Sequence, residues 1–306
     1  MNNVEIDLLK EITGIENGEI KGAYNIRKNG EGIERQITEN VNIIAKNDVS
    51  GIDIYVKKNT KFELIHIPVI ITESGITDVV YNDFYIGENA KVTIIAGCGI
   101  HNDHHKDSRH DGIHRFFLEK GAKVKYIEKH YGEGDGTGKR VLNPVTEVHL
   151  KEDAIMEMDS VQIKGVDSTI RETKGIIEEN ASFIVTEKIM THGSQYAKTV
   201  FEVELNGENA STKVTSRSVA TEESKQEFCS KVTGNGKCFG HVECDAIIKD
   251  TAKVIAIPEI VANNVDANLI HEAAIGKIAG EQLIKLMTLG LTESEAEEAI
   301  INGFLK

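Results

Sequence analysis

The stretch Gly87-Glu-Asn-Ala-Lys-Val-Thr-Ile-Ile-Ala96 contains the pattern from which the fold is predicted. A polar turn leads into Ala90, and Val92 and Ile94 follow at alternate positions, which share one face of a β-strand. The small alanine therefore lies where the chain turns into a core. The same turn and strand recur, with weaker agreement at the last two, at Ala122, Ala154, Ala181, Ala210 and Ala252.

The spacing of these alanines indicates how the strands are arranged. Successive alanines are 32, 32, 27, 29 and 42 residues apart. A turn-plus-strand unit that recurs at about this length is typical of a β-helix, in which each coil stacks on the one before it. The uneven intervals leave an antiparallel β-sandwich as the alternative.

Residue composition favours a β fold as well. The chain of 306 residues has 40 Ile and 24 Val but only 13 Leu, and seven of those Leu fall in residues 1–13 and 283–306. β-Branched side chains favour strands, whereas Leu is a common helix residue. We therefore expect a mainly β protein with a β-solenoid core and short helices at the N- and C-termini.

Three segments are expected along the chain: an N-terminal helix and lead-in (1–50), the β-helix core (51–279) and a C-terminal helical hairpin (280–306). The first helix covers Val4–Thr13. In the hairpin, Gly290 ends one helix, and the capping-box spacing of Thr292 and Glu295 opens the next. From the pattern alone, such a hairpin either caps the β core or docks a partner.

Charge and cysteine content exclude several classes of protein. The formal net charge is -14, and the sequence has no concentrated basic cluster, which argues against nucleic acid as a partner. No apolar run is long enough to span a membrane, and the first residues do not resemble a signal peptide. Four cysteines are too few for a disulfide framework, so we expect a cytoplasmic protein with free thiols.

The glycine-rich segment Gly132–Lys139 is the first candidate for chemistry. It is not a phosphate-binding P-loop, because Glu133 and Arg140 occupy positions where that motif needs Gly and Ser or Thr. We expect a flexible acidic loop here and no binding of ATP by this chain.

A second candidate is a run of histidines interleaved with aspartates, which together are plausible ligands for iron or zinc. The histidines are His101, His104, His105, His110 and His114. A solvated loop is the alternative interpretation, because the run is polar and has no helical spacing.

The third and fourth candidates lie near the C-terminus. Cys244 would share a strand face with Val242, Ala246 and Ile248, so a buried structural thiol is the default interpretation. The adjacent pair His271 and Glu272 interrupts an apolar segment, which is costly unless both find partners. Because neighbouring strand residues point to opposite faces, the pair could reach one metal only at a bend or a strand end.

These C-terminal motifs resemble the SufB/SufD family of iron–sulfur cluster assembly scaffolds. Glu243-Cys-Asp245 is similar to the strand that carries the essential cysteine of SufB. The remaining similar segments are Leu269–Ala274, Gly280–Leu283, Gly290–Ala296 and Ile300–Leu305, with a looser likeness over Gly87–Tyr131 that includes Cys98.

The resemblance implies a right-handed β-helix and a non-enzymatic scaffold that holds a transient iron–sulfur cluster. It implies that Cys244 accepts sulfur or binds iron, with His271 and Glu272 as further metal ligands near a subunit interface. The implied partners are a SufC-type ABC ATPase docked by the terminal helices, a second scaffold subunit in a homodimer or SufB/SufD-like heterodimer, a sulfur donor and apo-protein acceptors.

The chain departs from the family pattern in three places. Ile270 stands where SufB-type sequences have an acid, Pro258–Asn263 lacks a cysteine often found there, and the N-terminal region is short. Two other functions are kept as alternatives. One is a β-helix enzyme acting on carbohydrate, which the absence of Trp and the aromatic content of 5% disfavour. The other is a structural or metal-binding solenoid that uses the His101–His114 segment.

Overall fold

The computed structural model describes residues 2–15 and 20–306; residue 1 and residues 16–19 of the predicted lead-in lie outside it. About 58% of the chain is in strands, which form a β-solenoid of about eight turns, and three helices lie at the termini. The predicted fold class is confirmed. The antiparallel sandwich is wrong, because successive coils of the solenoid pair through parallel strands.

The helices and strands of the described residues follow in chain order. The helices are α1 (Asn3–Thr13), α2 (Gly280–Thr288) and α3 (Glu293–Phe304). The first ten strands are β1 (Ala23–Lys28), β2 (Glu31–Gln36), β3 (Val41–Ala45), β4 (Gly51–Val56), β5 (Lys61–Ile71), β6 (Thr77–Ile86), β7 (Lys91–His101), β8 (Ser108–Leu118), β9 (Lys123–Glu133) and β10 (Arg140–Leu142). The next ten are β11 (Val145–Leu150), β12 (Ile155–Lys164), β13 (Ser168–Ile177), β14 (Ser182–Thr191), β15 (Tyr196–Leu205), β16 (Ser211–Ala220), β17 (Lys225–Gly234), β18 (Phe239–Ile248), β19 (Lys253–Ala262) and β20 (Asn268–Gly276).

The strands form two sheets that face each other across a narrow lumen. Sheet A has the order β2-β1-β5-β7-β9-β12-β14-β16-β18-β20. Sheet B has the order β19-β17-β15-β13-β10-β8-β6-β4-β3, and β11 also lies between β8 and β13. Side chains alternate between the lumen and the outer surface, and the lumen of the first coils is filled by large apolar residues such as Phe84, Phe116 and Tyr126.

The repeated alanines form one column at the start of the sheet A strands. Each of these alanines is fully buried. Its backbone carbonyl accepts a hydrogen bond from the residue that follows the next alanine of the column; for example, Ala90 accepts from Lys123. The preceding residue adopts a left-handed conformation, which Asn, Asp and Gly tolerate best. These residues are Asn89, Gly121, Asp153, Asn180 and Asn209.

The prediction that Ala252 is the last member of the repeat is wrong. Ala252 precedes β19, which belongs to sheet B, whereas the alanine column lies beside sheet A. Cys238 takes the next place in the column, because Phe239 donates its backbone N–H to the carbonyl of Ala210. The 42-residue interval to Ala252 is therefore longer than one coil.

The glycine-rich segment is a stacked corner of the solenoid, which corrects the expectation of a flexible loop. Gly136 and Gly138 donate backbone hydrogen bonds to the carbonyls of Asn102 and His104 on the preceding coil, at 3.0 and 2.8 Å. A Cβ at Gly136 would lie 2.3 Å from the backbone nitrogen of His104. Glycine is needed here because the two corners stack backbone against backbone.

Helix α1 packs against the outer face of sheet A. Leu8, Leu9 and Ile12 bury their side chains there, and a Cβ at Gly97 would lie 2.7 Å from the Cβ of Ile12. Gly97 therefore gives the helix a flat surface on the strand that also carries Cys98.

The C-terminal hairpin forms as predicted. Thr292 and Glu295 make the capping box at the start of α3, and Gly290 takes a positive φ of 100° after α2. Helix α3 is anchored to sheet A by the ring of Phe304, which lies under the guanidinium of Arg217. Within the described residues, no helix is long and apolar enough to cross a membrane.

Candidate functional site

Cys244 lies on β18, next to the last strand of sheet A. Its side chain points into the lumen and is 2% exposed, with Ser216 of β16 and Ala273 of β20 as its register neighbours. The alternation predicted from sequence therefore holds for Cys244. Only one further strand, β20, separates this thiol from the end of the solenoid.

His271 lies on the same face as Cys244. It pairs in register with Val242, two residues before Cys244, so its side chain also points toward the lumen. Its Nε2 atom is buried and has no hydrogen-bond partner. Burial, together with the nearby charge of His241, lowers the pKa of His271, which favours the neutral imidazole that binds metals. An unpaired, buried imidazole nitrogen beside a thiol is the feature of this region that most needs a ligand.

Glu272 points the other way, to the outer surface. Its register neighbour is Glu243, and one of its carboxylate oxygens lies 3.4 Å from Nε2 of His241. The structure therefore has Cys244 and His271 on the same face of neighbouring strands and Glu272 on the opposite face. Across the described part of the chain, no three His, Cys, Asp or Glu side chains are grouped so that they could hold a metal ion.

The thiol of Cys244 is held in its protonated form. Burial raises the pKa of Cys244 to about 12, and the charges of Glu187 and Asp245 add to the effect. Binding of a metal ion must therefore displace a proton that the free subunit retains. Cys238 and Cys98 are also buried, and burial raises the pKa of both thiols.

A buried acid adjoins the Cys244 position. Glu187 on β14 pairs in register with Ser216, which in turn pairs with Cys244. Glu187 therefore lies two strands from Cys244 in the same lumen-facing row. The hydroxyls of Thr199 and Ser216 each donate a hydrogen bond of 2.8 Å to its carboxylate. Arg171 of sheet B lies 3.6 Å away on the third side. The carboxylate of Glu187 thus has a donor on each of three sides. Burial is tolerated for this reason, since the residue is only 3% exposed.

Arg171 connects Glu187 to a second buried acid, Glu128. Its guanidinium donates to Glu128 and, at 3.1 Å, to Nδ1 of His130. Burial alone would raise the pKa of Glu128, but the charge of Arg171 and the neighbouring histidines hold it well below its usual range. Because Nδ1 of His130 accepts a hydrogen bond, that imidazole is neutral, in agreement with a pKa that burial lowers to about 4.

The hydrogen-bonded chain continues toward the first coils. The hydroxyl of Tyr126 donates to Glu128 at 3.0 Å and must therefore accept from Nδ1 of His114, at 2.6 Å. Nε2 of His114 then accepts from the amide of Asn82. This fixes a neutral imidazole, and burial lowers the pKa of His114 to about 4.

A small cavity of about 20 Å³, enough for roughly one water molecule, lies beside this chain of polar groups. Cys98 faces it from β7, next to His130 in register, and His110 faces it from sheet B. His110 donates to Asp78, which Arg27 also binds. Burial would raise the pKa of Asp78, yet these two partners hold it far below its usual range.

The histidine run splits into three environments. His110 and His114 point into the lumen, where the partners just described satisfy them. His101 is hydrogen-bonded between Asp103 and Glu133, at 2.8 and 3.1 Å. His104 and His105 are exposed at the corner. The predicted metal site of this segment does not form as one cluster, and each imidazole of the run that is buried has a protein partner.

The outer face of sheet B has an aromatic ladder. The rings of Tyr55, Tyr85, Phe117 and His149 stack in sequence, with centroids 4.8 to 5.3 Å apart. Their faces cover one another, whereas a carbohydrate subsite needs an open ring face. The ladder therefore gives no support to the carbohydrate-active alternative.

Sequence reasoning did not find Glu128, His130, Arg171 or Glu187. The signal was present, because each charged residue falls on a lumen-facing position of an alternating strand. What the sequence does not state is that Glu128 and Arg171 meet across the lumen, although they are 43 residues apart.

Comparisons with known proteins agree with these motifs. The sequence model of the SUF system FeS cluster assembly SufBD core domain matches residues 83–304. An iron–sulfur cluster assembly SufBD family protein of Methanocaldococcus jannaschii is 32% identical over 292 residues, which cover 93% of this chain and 90% of that protein. A protein of the same description from Pyrococcus horikoshii is 29% identical over 264 residues, or 84% of this chain and 57% of that protein. The iron–sulfur cluster assembly protein SufB of Bacillus subtilis is 27% identical over 229 residues, or 72% of this chain and 47% of SufB.

Proposed function

Since the chain belongs to the SufBD family of iron–sulfur cluster assembly proteins, we propose that it is a scaffold subunit on which a nascent cluster is built. The cluster is cargo that the subunit receives and releases, not a resident cofactor. In this proposal the subunit is cytoplasmic, and it has no catalytic residues of its own.

The observation that carries the proposal is that Cys244 and His271 lie on the same face of neighbouring strands near the open end of sheet A. Thiolate is the preferred ligand of iron–sulfur clusters, and an imidazole ligand changes the properties of the cluster. The Nε2 atom of His271, which has no hydrogen-bond partner and lies on the face of Cys244, supports its proposed role as a ligand. Because the Cys244 thiol is protonated when free, its loss of a proton would accompany binding of iron.

A second subunit is expected at the same end of the solenoid. The last strands, β19 and β20, have unpaired edges and leave lumen-facing Ile260 and Ile275 45% and 40% exposed. Exposed apolar edges of this length favour pairing with another chain. Glu272 points away from Cys244 within its own chain, so it would join the ligands through this homodimer or SufB/SufD-like heterodimer interface.

The C-terminal hairpin is the expected docking point for a SufC-type ATPase. Helix α3 is fixed to sheet A, while α2 exposes Ile284, Met287 and Leu289 by 62%, 43% and 76%. An anchored helix beside an exposed apolar helix supports docking rather than capping. ATP would be bound by that partner, and a sulfur donor and apo-protein acceptors would complete the system.

The test is anaerobic reconstitution with iron and sulfide, followed by measurement of visible absorption and of bound iron. We expect the wild-type chain, co-expressed with its ATPase, to hold an oxygen-sensitive cluster. Cys244→Ser should lose most of it, and His271→Ala should hold it less tightly.

Cys229→Ser is the matched control, since Cys229 is a half-buried thiol of the neighbouring sheet. It should retain the cluster. Wild-type cluster content in Cys244→Ser would remove Cys244 from the site, and absence of both a cluster and an ATPase partner would disprove the scaffold function.

A further inference from the structure

Three lysines stack directly on one another on the outer face of sheet A. Lys61 pairs in register with Lys91, and Lys91 pairs with Lys123, so the backbone of each lysine lies one strand spacing, about 4.8 Å, from the next along the sheet. All three residues are exposed. None forms an ion pair with a carboxylate of the described residues, although the chain has a net charge of -14.

Like charges also pair in register elsewhere in the solenoid, as Lys225 does with Lys253 and Glu243 with Glu272, but one long column alternates in sign. On the outer face of sheet B, one charged residue per coil alternates in sign over seven successive positions: Asp83, Arg115, Glu147, Lys174, Glu202, Lys231 and Glu259. Opposite charges on adjacent strands stabilise a sheet, whereas like charges destabilise it. Repulsion within the column of Lys61, Lys91 and Lys123 therefore destabilises the sheet locally, and the alternating column has no such repulsion.

A strained aromatic residue lies beside the lysine column. Phe62 is 87% exposed and has a φ of 59°, a left-handed conformation that is unfavourable for a bulky residue. It forms a β-bulge, because the register between β5 and β7 shifts from Lys61 to Glu63. The backbone thus holds a large apolar side chain out into solvent at this point.

Phe62 and two of these lysines, Lys91 and Lys123, border one groove, and Lys61 precedes Phe62 in the chain. It has a volume of about 250 Å³ and is open to solvent, and its lining residues include Phe62, Lys91, Lys123, Lys125, Ile155 and one acid, Glu157. Lys125 is the only one of these lysines with a carboxylate partner in the described structure, Asp159 at 3.4 Å. The groove lies about five strand spacings, roughly 24 Å, from Cys244 along sheet A.

We propose that this groove docks an acidic amphipathic segment of a partner protein. Two or three carboxylates would bind Lys61, Lys91 and Lys123, and an apolar side chain would cover Phe62. The Cβ atoms of helical residues at positions i and i+3 or i+4 are about 5–6 Å apart, close to the backbone spacing of the stacked lysines. The docking surface is separate from the cluster site and does not depend on the proposed function.

A protein segment fits this surface better than a nucleic acid does. Nucleic acids need a basic surface that follows several phosphates, and the remaining outer surface carries the excess negative charge. One exposed ring and three lysines match a short stretch of acidic and apolar residues.

The test uses a fluorescein-labelled peptide in which Glu and Leu alternate at helical spacing, with fluorescence anisotropy as the readout. We expect the wild-type chain to bind it, with an affinity that falls as salt rises. Lys91→Glu/Lys123→Glu should weaken binding at least tenfold. Lys213→Glu/Lys237→Glu, which makes the same change in charge outside the groove, should leave it unchanged.

Two further variants separate docking from folding. Phe62→Gly should weaken peptide binding while the melting temperature is unchanged or higher, because glycine accepts the left-handed backbone without strain. Lys91→Glu alone restores alternating charge in the column, so it should raise the melting temperature by about 1–2 °C and still weaken binding.

Three results would overturn the proposal. Equal weakening by the groove variant and the charge-matched control would show non-specific attraction. Tighter binding of polyuridine RNA than of the peptide would assign the surface to nucleic acid. A change of oligomeric state in Lys91→Glu/Lys123→Glu would assign it to a second copy of this chain.

Discussion

The two ends of the solenoid are built from the same coil but end in different ways. At the N-terminal end each sheet finishes with a short antiparallel strand, β2 on β1 and β3 on β4. These strands have six and five residues, and β2 is exposed and mostly polar. Short, charged edge strands are a common protection against unwanted pairing.

The C-terminal end has no such protection. The edge strands β19 and β20 keep their full length of ten and nine residues, and residues that would face the lumen of a further coil remain exposed. A coil that ends abruptly leaves both apolar surface and backbone groups without partners. This difference supports the proposal that association takes place at the C-terminal end, which carries Cys244 and His271.

The buried polar groups also differ between the middle coils and the C-terminal end of the solenoid. In the middle coils each buried charge has a charged or hydrogen-bonding partner, as Glu128 and Arg171 show. Near the open end, Nε2 of His271 is buried without one. The buried charges of the middle coils are thus paired within one chain, whereas Nε2 of His271 has no partner, as is also true of both ring nitrogens of His66 on β5.

The largest loss of stability is expected from breaking the paired charges buried in the middle coils. Arg171→Met leaves Glu128 and Glu187 buried without their counter-charge, so it should lower the free energy of unfolding by about 3–5 kcal/mol. Urea denaturation measures this loss. Lys151→Met, which breaks an exposed pair with Glu119, should cost less than about 1 kcal/mol. A similar cost for both variants would contradict the buried network.

Acidification should weaken the same interior. Burial lowers the pKa of His114 and His130 to about 4, below the value near 6.5 of an unfolded histidine. The folded state therefore binds fewer protons than the unfolded state between these values, and stability is lost as pH falls from 6.5 toward 4. Each histidine accounts for at most about 2 kcal/mol at pH 5.

Urea midpoints at pH 7 and pH 5 provide the measurement. His114→Gln and His130→Gln should each be less stable at pH 7 but lose less stability on acidification than the wild-type chain does. If both variants keep the wild-type pH dependence, the two histidines are not the groups that titrate.

The smallest effect on folding, but a clear one on association, is expected at the open end. Ile260→Lys should weaken self-association at least tenfold, because it places a charge on the exposed apolar edge. Sedimentation velocity over a range of concentrations would measure it. Ile44→Lys, at a residue 46% exposed on the capped end, is the matched control and should leave association unchanged. Equal weakening by the two variants would mean that the ends do not differ as we infer.

Much of the fold could be predicted because its signals are local. Alternation at Ala90, Val92 and Ile94 predicts one buried face of a strand, and the structure buries all three residues at the start of β7. Thr292 and Glu295 are three residues apart, so their capping box is visible in the sequence. The lumen-facing position of Cys244 follows from the same alternation.

The predicted repeat is wrong at Ala252, where it rested on similarity of sequence alone. Ala252 has the right neighbours in sequence, but it lies at the turn into sheet B, and Cys238 occupies the column of sheet A. Coils of unequal length shift the register, and only the stacked structure shows which turn lies above which.

By itself, the sequence determined which residues form strands, which side of each strand is buried and where the helices begin and end. These properties depend on neighbours a few positions away. Only the tertiary structure decided that Arg171 neutralises Glu128, that Cys244 and His271 share a face while Glu272 does not, and that Lys61, Lys91 and Lys123 stack without counter-charges. The physical reason is that stacking brings together residues about one coil apart or more, and the number of residues in each corner sets which of them meet.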